Sequence, residues 1–139
     1  MDSTKQIRDC LQHSRITIIG IGGIGSSGLA QILHAKNKKV TGSDLHNSAT
    51  IASLRRSEIK VTIGHKAENL PAKTDIVVYS PAIPKENVEL KKAHSLEIKC
   101  LTYPEALGEL TKDHFTIAIA GAHGKSTTTA MTAKIITDA

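Results

Sequence analysis

Three glycines near the start of the chain have a spacing that suits phosphate binding. Gly20, Gly22 and Gly25 satisfy the pattern G-x-G-x-x-G and directly follow an apolar, β-branched run at residues 15–19. Glycine at positions 20 and 22 permits a tight turn and leaves space for a diphosphate close to the backbone. A helix predicted from Ile24 directs its free N–H groups and the positive end of its dipole toward that space. The motif therefore predicts a cradle for phosphate groups.

An acidic residue at the end of the next predicted strand supports this interpretation. Asp44 ends the run at 40–44 and stands 22 residues after Gly22. This is close to the offset of about 20 residues at which a carboxylate accepts ribose hydroxyls. Gly25 and Gly28 are expected to let the helix lie close to the sheet. The pattern predicts a nucleotide diphosphate but does not distinguish NAD from another one, and a glycine turn used only for packing is the alternative.

A second candidate phosphate site lies near the C-terminus. The tripeptide Gly124-Lys125-Ser126 follows an apolar run at 115–120, predicted as a strand, and precedes a predicted helix. In P-loops, backbone N–H groups hold phosphates, the lysine reaches the β and γ oxygens, and the hydroxyl binds Mg²⁺. The usual spacing requires glycine at position 119, which is Ile119, so this loop is shorter. Its position between strand and helix nevertheless favours ATP binding.

The elements that must position these motifs are strands and helices, whose sequence patterns alternate along the chain. This alternation predicts an α/β fold, a Rossmann-like parallel sheet with helices on both faces. A capping box formed by Thr102 and Glu105, with Pro104 in the first turn, opens one helix, and Asn47 or Ser48 caps another. Strands are predicted at 15–19, 40–44, 60–63, 75–79, 98–101 and 115–120, and helices at 4–13, from 24, after 48, at 86–95, from 102 and through 131–135.

The carboxyl ends of the predicted strands bring further candidates to one crevice. In open parallel sheets the ligand binds outside these ends, where Gly20, Asp44, His65 and Ser80 are expected to lie. His65 could contact a base, although a lone histidine after a strand is often simply exposed. The loop 80–84 carries two prolines. Its residues 80–83 could offer backbone groups to a base or sugar, or the loop could be an ordinary turn.

The amino-acid composition limits the classes of function that the chain can have. The 139 residues suit one ordinary domain, with 40% hydrophobic residues but only 2% aromatic ones, so aliphatic side chains must form the core. The net charge of +5 suits an anionic ligand, but scattered basic pairs and the scarcity of aromatic residues argue against nucleic acid. Cys10 and Cys100 are expected to be buried thiols in a reducing cytoplasm. No run of about 20 apolar residues predicts a membrane span, so a cytoplasmic location is expected.

Five motifs, taken in order, resemble those of the Mur ligase family. They lie at residues 20–25, 42–45, 64–65, 79–84 and 121–129. The resemblance covers the chain from about Arg15 and implies a UDP-sugar, not NAD, at the first loop and ATP at the second. By position it implies UDP-sugar contacts at Gly22, Gly23, Ile24, Gly25, Asp44, His65, Ser80, Ala82 and Ile83, and ATP contacts at Gly121, Ala122, His123, Gly124, Lys125, Ser126 and Thr127.

The same resemblance implies roles within the second loop. Lys125 would be catalytic and Ser126 would bind Mg²⁺, while His123 could equally well only shape the loop. Ala122 and Ser126 stand where the family loop usually has threonines, and function is expected to survive because serine can also bind magnesium.

The resemblance further implies a reaction in bacterial peptidoglycan precursor synthesis. The carboxylate of UDP-N-acetylmuramate would attack the γ-phosphate of ATP, and the amine of L-alanine would displace phosphate from the resulting acyl phosphate. Three alternatives remain: a ligase of the same family that attaches a recycled peptide, an NAD-dependent oxidoreductase, and a non-catalytic UDP-sugar-binding module.

The expected organisation is a UDP-sugar-binding domain at 1–112 followed at 113–139 by the first strand, P-loop and helix of a truncated ATP-binding domain. Because family members have three domains, the chain is interpreted as an N-terminal fragment that binds UDP or UDP-N-acetylmuramate without turnover. Without its own sheet, the segment 113–139 is expected to be frayed, to swap with another copy in a dimer, or to lie against the sheet edge.

Overall fold

A computed structural model describes residues 15–112 and 114–139, and in these ranges the strands form one parallel five-stranded sheet. The strand order is β3-β2-β1-β4-β5. The strands are β1 (Arg15–Ile19), β2 (Lys39–Asp44), β3 (Lys60–Ile63), β4 (Ile76–Tyr79) and β5 (Lys99–Thr102); the helices are α1 (Ile24–Ala35), α2 (Ala49–Arg56), α3 (Val88–Ser95), α4 (Tyr103–Thr111) and α5 (Lys125–Asp138), with a short 3₁₀ helix at Ala67–Asn69.

The central strand β1 lies between β2 and β4. Ile18 is in register with Gly42 on one side and with Val78 on the other. From β1 the chain builds the sheet first toward β3 and then, after a crossover, toward β5, so the direction of winding reverses between β1 and β4. In doubly wound sheets such a reversal opens a crevice at the carboxyl ends of the strands.

Apolar side chains project from both faces of the sheet and pack against helices on each face. Ile16 and Ile18 of β1 belong to the larger core cluster, which α1, α2 and α4 cover with aliphatic side chains. Ile19 and Val77 point the other way, into a smaller cluster that includes Leu90 of α3. The predicted fold class is therefore confirmed: an α/β sheet with helices on both faces.

The amino ends of β1 and β4 are joined by an ion pair. The backbone N–H of Arg15 donates to Asp75 Oδ2 at 2.8 Å, and the guanidinium lies 3.3 Å from the same oxygen. The backbone hydrogen bond first, and then the side-chain bond, lower the pKa of Asp75 from its ordinary value. These contacts stabilise the strand ends opposite the crevice.

Local signals predicted most helix starts correctly. Ser48 caps α2 by accepting from the N–H of Ile51, and the capping box at Thr102 opens α4. The helix predicted from 86 begins instead at Val88, because Asn87 is its cap. The predicted helix at 4–13, with Cys10, lies outside the described residues. Cys100 is partly buried, and burial raises the pKa of its thiol.

The prediction of a sixth strand over 115–120 is wrong. This segment pairs with no strand of the described sheet and most of it is exposed. Its β-branched residues favour extended backbone, but a strand also requires a partner ladder, which local sequence does not supply. Of the three outcomes expected for the terminal segment, addition to the sheet edge as a strand is not seen in the described residues. Fraying and a swap between copies stay predictions. Within the described ranges, no helix has the length and hydropathy needed to cross a membrane.

Candidate functional site

A cleft of about 490 Å³ opens at the carboxyl ends of the strands, at the reversal of winding. Its volume lies in the range of small-ligand pockets. Of the residues predicted from the sequence, seven line it: Gly22, Gly23, Asp44, His65, Ser80, Ala82 and Ile83. The lining also includes Gly20, which was expected at this crevice, and five residues that were not predicted as contacts: Leu45, His46, Ser48, Pro84 and Asn87.

The glycine turn at the end of β1 forms one wall of the cleft. Gly20 has a φ of +78°, a left-handed conformation that favours glycine. Its N–H and that of Ile21 donate to the carbonyl of Ser43, at 2.8 and 3.1 Å. A Cβ at position 20 would lie 3.1 Å from the Cβ of Ser80. Glycine therefore lets the turn after β1 approach the loop after β4 closely.

Asp44 is fixed against this turn by its own carboxylate. Its Oδ2 accepts from the N–H of Gly22 at 2.8 Å, and its Oδ1 accepts from the N–H of His46 at 3.2 Å. Each carboxylate oxygen has further acceptor capacity, so Asp44 can still accept hydroxyl donors from the cleft. Asp44 and the glycine turn therefore lie together, while the contact between Asp44 and a ribose stays a prediction.

The opposite wall is the loop after β4. The N–H of Ser80 donates to the carbonyl of Ile19, and the N–H of Ile83 donates back to the carbonyl of Ser80 at 2.9 Å. The hydroxyl of Ser80 accepts from the N–H of Ala82 at 3.3 Å. These bonds hold a compact turn against the end of β1.

Two predicted contacts of the glycine motif lie outside the cleft lining. Ile24 is 96% exposed at the start of α1. Gly25 faces α4: a Cβ there would lie 2.6 Å from the ring of Tyr103. Gly28 has no neighbour within 4 Å of a built Cβ, so the expectation that it lets α1 approach the sheet is wrong. The third glycine of the motif serves helix–helix packing here.

His65 contacts a buried carboxylate that was not predicted from the sequence. Glu89, in the first turn of α3, is 0% exposed. Its Oε1 accepts from Lys66 N at 3.2 Å and Asn69 Nδ2 at 2.8 Å, and lies 3.2 Å from His65 Nδ1. Its Oε2 accepts from Ser43 Oγ at 2.5 Å. The network joins β2, the loop after β3, and α3.

One sequence signal could have revealed Glu89. It precedes Leu90 and lies four residues before Ala93, and all three are buried on α3. An acidic residue on an otherwise apolar helix face indicates a buried polar partner.

The predicted ATP loop at 121–127 is not part of this cleft. Its residues are exposed, and Lys125 Nζ donates to the carbonyl of Gly121 at 2.6 Å. Gly124, with a φ of +76°, is the N-cap of α5. In the described part of the chain, no group of three or more His, Cys, Asp or Glu is arranged to hold a metal ion. The ATP contacts and the role of Ser126 therefore stay predictions.

An open parallel sheet of this strand order, with a glycine turn and an acidic residue at its reversal point, defines the chain as a Rossmann-like α/β domain. Residues 15–115 match the family model described as "Mur ligase family, catalytic domain". The chain belongs to the Mur ligase family.

Curated relatives share this assignment. The chain is 48% identical over 124 residues to the UDP-N-acetylmuramate–L-alanine ligase of Campylobacter jejuni (strain RM1221), covering 89% of this chain and 28% of that protein. It is 43% identical over 132 residues to the enzyme of the same name from Clostridium kluyveri (strain NBRC 12016), covering 94% of this chain and 29% of that one. The chain therefore spans less than a third of the length of these relatives.

Solved structures agree. The UDP-N-acetylmuramate–alanine ligase of Thermotoga maritima is 30% identical, with a TM-score of 0.86 over 90% of this chain and 29% of that chain. A murein peptide ligase from Psychrobacter arcticus 273-4 is 29% identical, with a TM-score of 0.81 over 86% of this chain and 25% of that chain.

Proposed function

We propose that this chain is the UDP-binding part of an ATP-dependent ligase that joins L-alanine to UDP-N-acetylmuramate. The observation that carries the proposal is the cleft at the strand ends, where the Asp44 carboxylate is bonded to the N–H of Gly22. The name shared by its curated relatives, at 43% and 48% identity, supports the choice of substrate.

The strand order suggests how UDP lies in the cleft. The diphosphate would lie over Gly22 and Gly23, close to the N-terminus of α1, whose first N–H groups have no acceptor within the helix. The ribose hydroxyls would donate to Asp44. The base would lie further along the sheet, between His65 and the loop 80–83.

The rest of the reaction is proposed for a protein of the relatives' length. ATP would bind at 121–127, with Lys125 next to the phosphates, and the muramoyl carboxylate would attack the γ-phosphate. The amine of L-alanine would then displace phosphate. Ser126 is the proposed Mg²⁺ contact, and no step is assigned to the metal because one hydroxyl does not complete a site. A cytoplasmic location belongs to the same proposal.

The observations favour this function over two of the alternatives. Among the solved structures, the L-alanine ligase matches with a TM-score of 0.86 and the murein peptide ligase with 0.81, and the curated relatives at 43% and 48% identity carry the name of the L-alanine ligase. An NAD-dependent oxidoreductase fits the glycine turn alone, and the family match argues against it.

Calorimetric titration of the 139-residue chain with UDP-N-acetylmuramate, UDP-N-acetylglucosamine, NAD and ATP in parallel tests the proposal. We expect UDP-N-acetylmuramate to bind and NAD not to bind. Asp44→Asn should weaken UDP binding roughly tenfold, since a charge-assisted acceptor for ribose is lost. Glu86→Gln, which neutralises an exposed carboxylate outside the cleft lining, is the matched control. Binding of NAD with no binding of UDP would overturn the proposal.

A further inference from the structure

The donors around Glu89 determine where His65 carries its proton. Oε1 of Glu89 receives a hydrogen bond from the backbone N–H of Lys66 and another from Asn69 Nδ2. A backbone N–H can only donate. The orientation of the Asn69 amide is also determined, because the same nitrogen donates to the carbonyl of Gly64 at 2.8 Å. Oε1 is therefore an acceptor.

It follows that the ring nitrogen facing Oε1 must be a donor. His65 Nδ1 lies 3.2 Å from this oxygen, so Nδ1 carries the hydrogen. This holds whether or not Oε2 bears a proton, because a proton on Oε2 would face Ser43 Oγ and leave Oε1 accepting. In the neutral ring, Nε2 then has a lone pair and no hydrogen.

The side chain of His65 is only 16% exposed, and the residue lines the cleft. Its Nδ1 edge is occupied by Glu89, with Ser43 Oγ also 3.4 Å away. The edge bearing Nε2, across the ring, is the one available to a ligand. A bare ring nitrogen in this position accepts from a donor and disfavours another acceptor.

We propose that Glu89 is a positioning residue that holds His65 with its proton on Nδ1, so that Nε2 accepts a hydrogen bond from the imide N–H of a uracil-type base. The proposal rests on the proposed function for the identity of the nucleotide. It adds a specificity element: cytosine has an acceptor where uracil has this N–H. Along the sheet, the order Gly22, Asp44, His65 follows β1, β2, β3, which is the order of diphosphate, ribose and base.

¹⁵N NMR of the ligand-free 139-residue chain at pH 8 tests the positioning directly, with His65→Gln identifying the signal. We expect an Nδ1–H ring in the wild type and in Glu89→Gln, whose amide oxygen can still face Lys66 and Asn69. Glu89→Leu should lose this preference. An Nε2–H or doubly protonated His65 in the wild type would overturn the proposal, even if Glu89→Leu does not fold.

Titration with UDP, N3-methyl-UDP and CDP tests the recognition. The wild type and Glu89→Gln should bind UDP roughly tenfold more tightly than either analogue, because both analogues lack the donor. Glu89→Leu should lose most of this discrimination, while Glu86→Gln should keep it. Equal binding of UDP and CDP to the wild type would refute the base contact and leave UDP binding intact. Absence of UDP binding would instead refute the proposed function together with the base contact.

Discussion

Gly22 and Gly28 belong to the same glycine-rich stretch but have different surroundings. A Cβ on Gly22 would lie 2.9 Å from Asp44 Oδ2 and 3.2 Å from Ile51 Cδ1. The carboxylate cannot move aside without losing its hydrogen bond to the N–H of Gly22. At Gly28, in α1, a Cβ would meet nothing within 4 Å. One glycine is required by the site and the other is not.

The substitution Gly22→Ala should therefore weaken UDP binding by tenfold or more and lower the free energy of unfolding by about 1 kcal/mol. Gly28→Ala should keep the affinity and raise the free energy of unfolding by up to about 1 kcal/mol, because alanine favours helix over glycine. Calorimetry and urea unfolding of both variants measure this. Equal affinities for the two variants would contradict the role given to Gly22.

Single residues also show what sequence can and cannot reveal. Asp44 was predicted because its offset from Gly22 is set by a recurrent strand–helix–strand unit. Glu89 was not predicted. Its place on the apolar face of α3 could have indicated that it is buried, but its donors come from β2 and from the loop after β3, which are distant in sequence, so no local pattern identifies its partners.

At the scale of elements, the start of α4 has a complete capping box. The N–H of Glu105 donates to Thr102 Oγ1, and Glu105 Oε2 accepts from both the N–H and the hydroxyl of Thr102, each at 2.7 Å. The hydroxyl bond first, and then the backbone bond, lower the pKa of Glu105 from its ordinary value. Since α4 covers part of the larger core, its start contributes to the stability of the sheet.

Thr102→Ala should lower the free energy of unfolding by about 1 kcal/mol at pH 7. Because the folded pKa of Glu105 is lowered, the unfolded chain binds more protons, and this contribution is lost as pH falls below the ordinary pKa of glutamate. Urea unfolding at pH 7 and pH 3 should therefore show a smaller difference between variant and wild type in acid. Glu105→Gln should behave similarly, and a difference that grows in acid would contradict the assignment.

The strands show the same division between local and distant information. The strand β1 was predicted from the apolar residues Ile16, Ile18 and Ile19, because a buried strand is rich in apolar residues. The run at 115–120 has a similar composition, but no strand of the described sheet pairs with it. Strand propensity is local, whereas pairing is decided by the rest of the sheet.

At the scale of the whole molecule, the described residues after 113 contribute little to the core. In α5 no residue is buried, and Phe115 is 96% exposed. A contact at this end, from Lys36 Nζ to His114 Nε2 at 3.1 Å, lies at the surface. The sheet and its helices therefore hold the buried apolar residues without α5.

A chain ending at Lys112 should keep its free energy of unfolding within about 0.5 kcal/mol and its affinity for UDP unchanged. A chain ending at Thr102 is the contrasting variant, since it also loses α4, including Tyr103 and the buried Ala106. Circular dichroism and urea unfolding should show the second chain unfolded or strongly destabilised. A loss above about 2 kcal/mol in the first would show that the terminal segment supports the fold.

The first residue after each of three strands is bonded to the backbone of the neighbouring strand. Gly20 N donates to Ser43 O at 2.8 Å, Gly64 N to Asp44 O at 2.8 Å, and Ser80 N to Ile19 O at 3.1 Å. These bonds fix the ends of three strands that border the cleft, so we expect little ordering entropy to oppose binding of the proposed nucleotide. Stopped-flow traces should accordingly contain a single exponential phase whose rate constant rises linearly with nucleotide concentration.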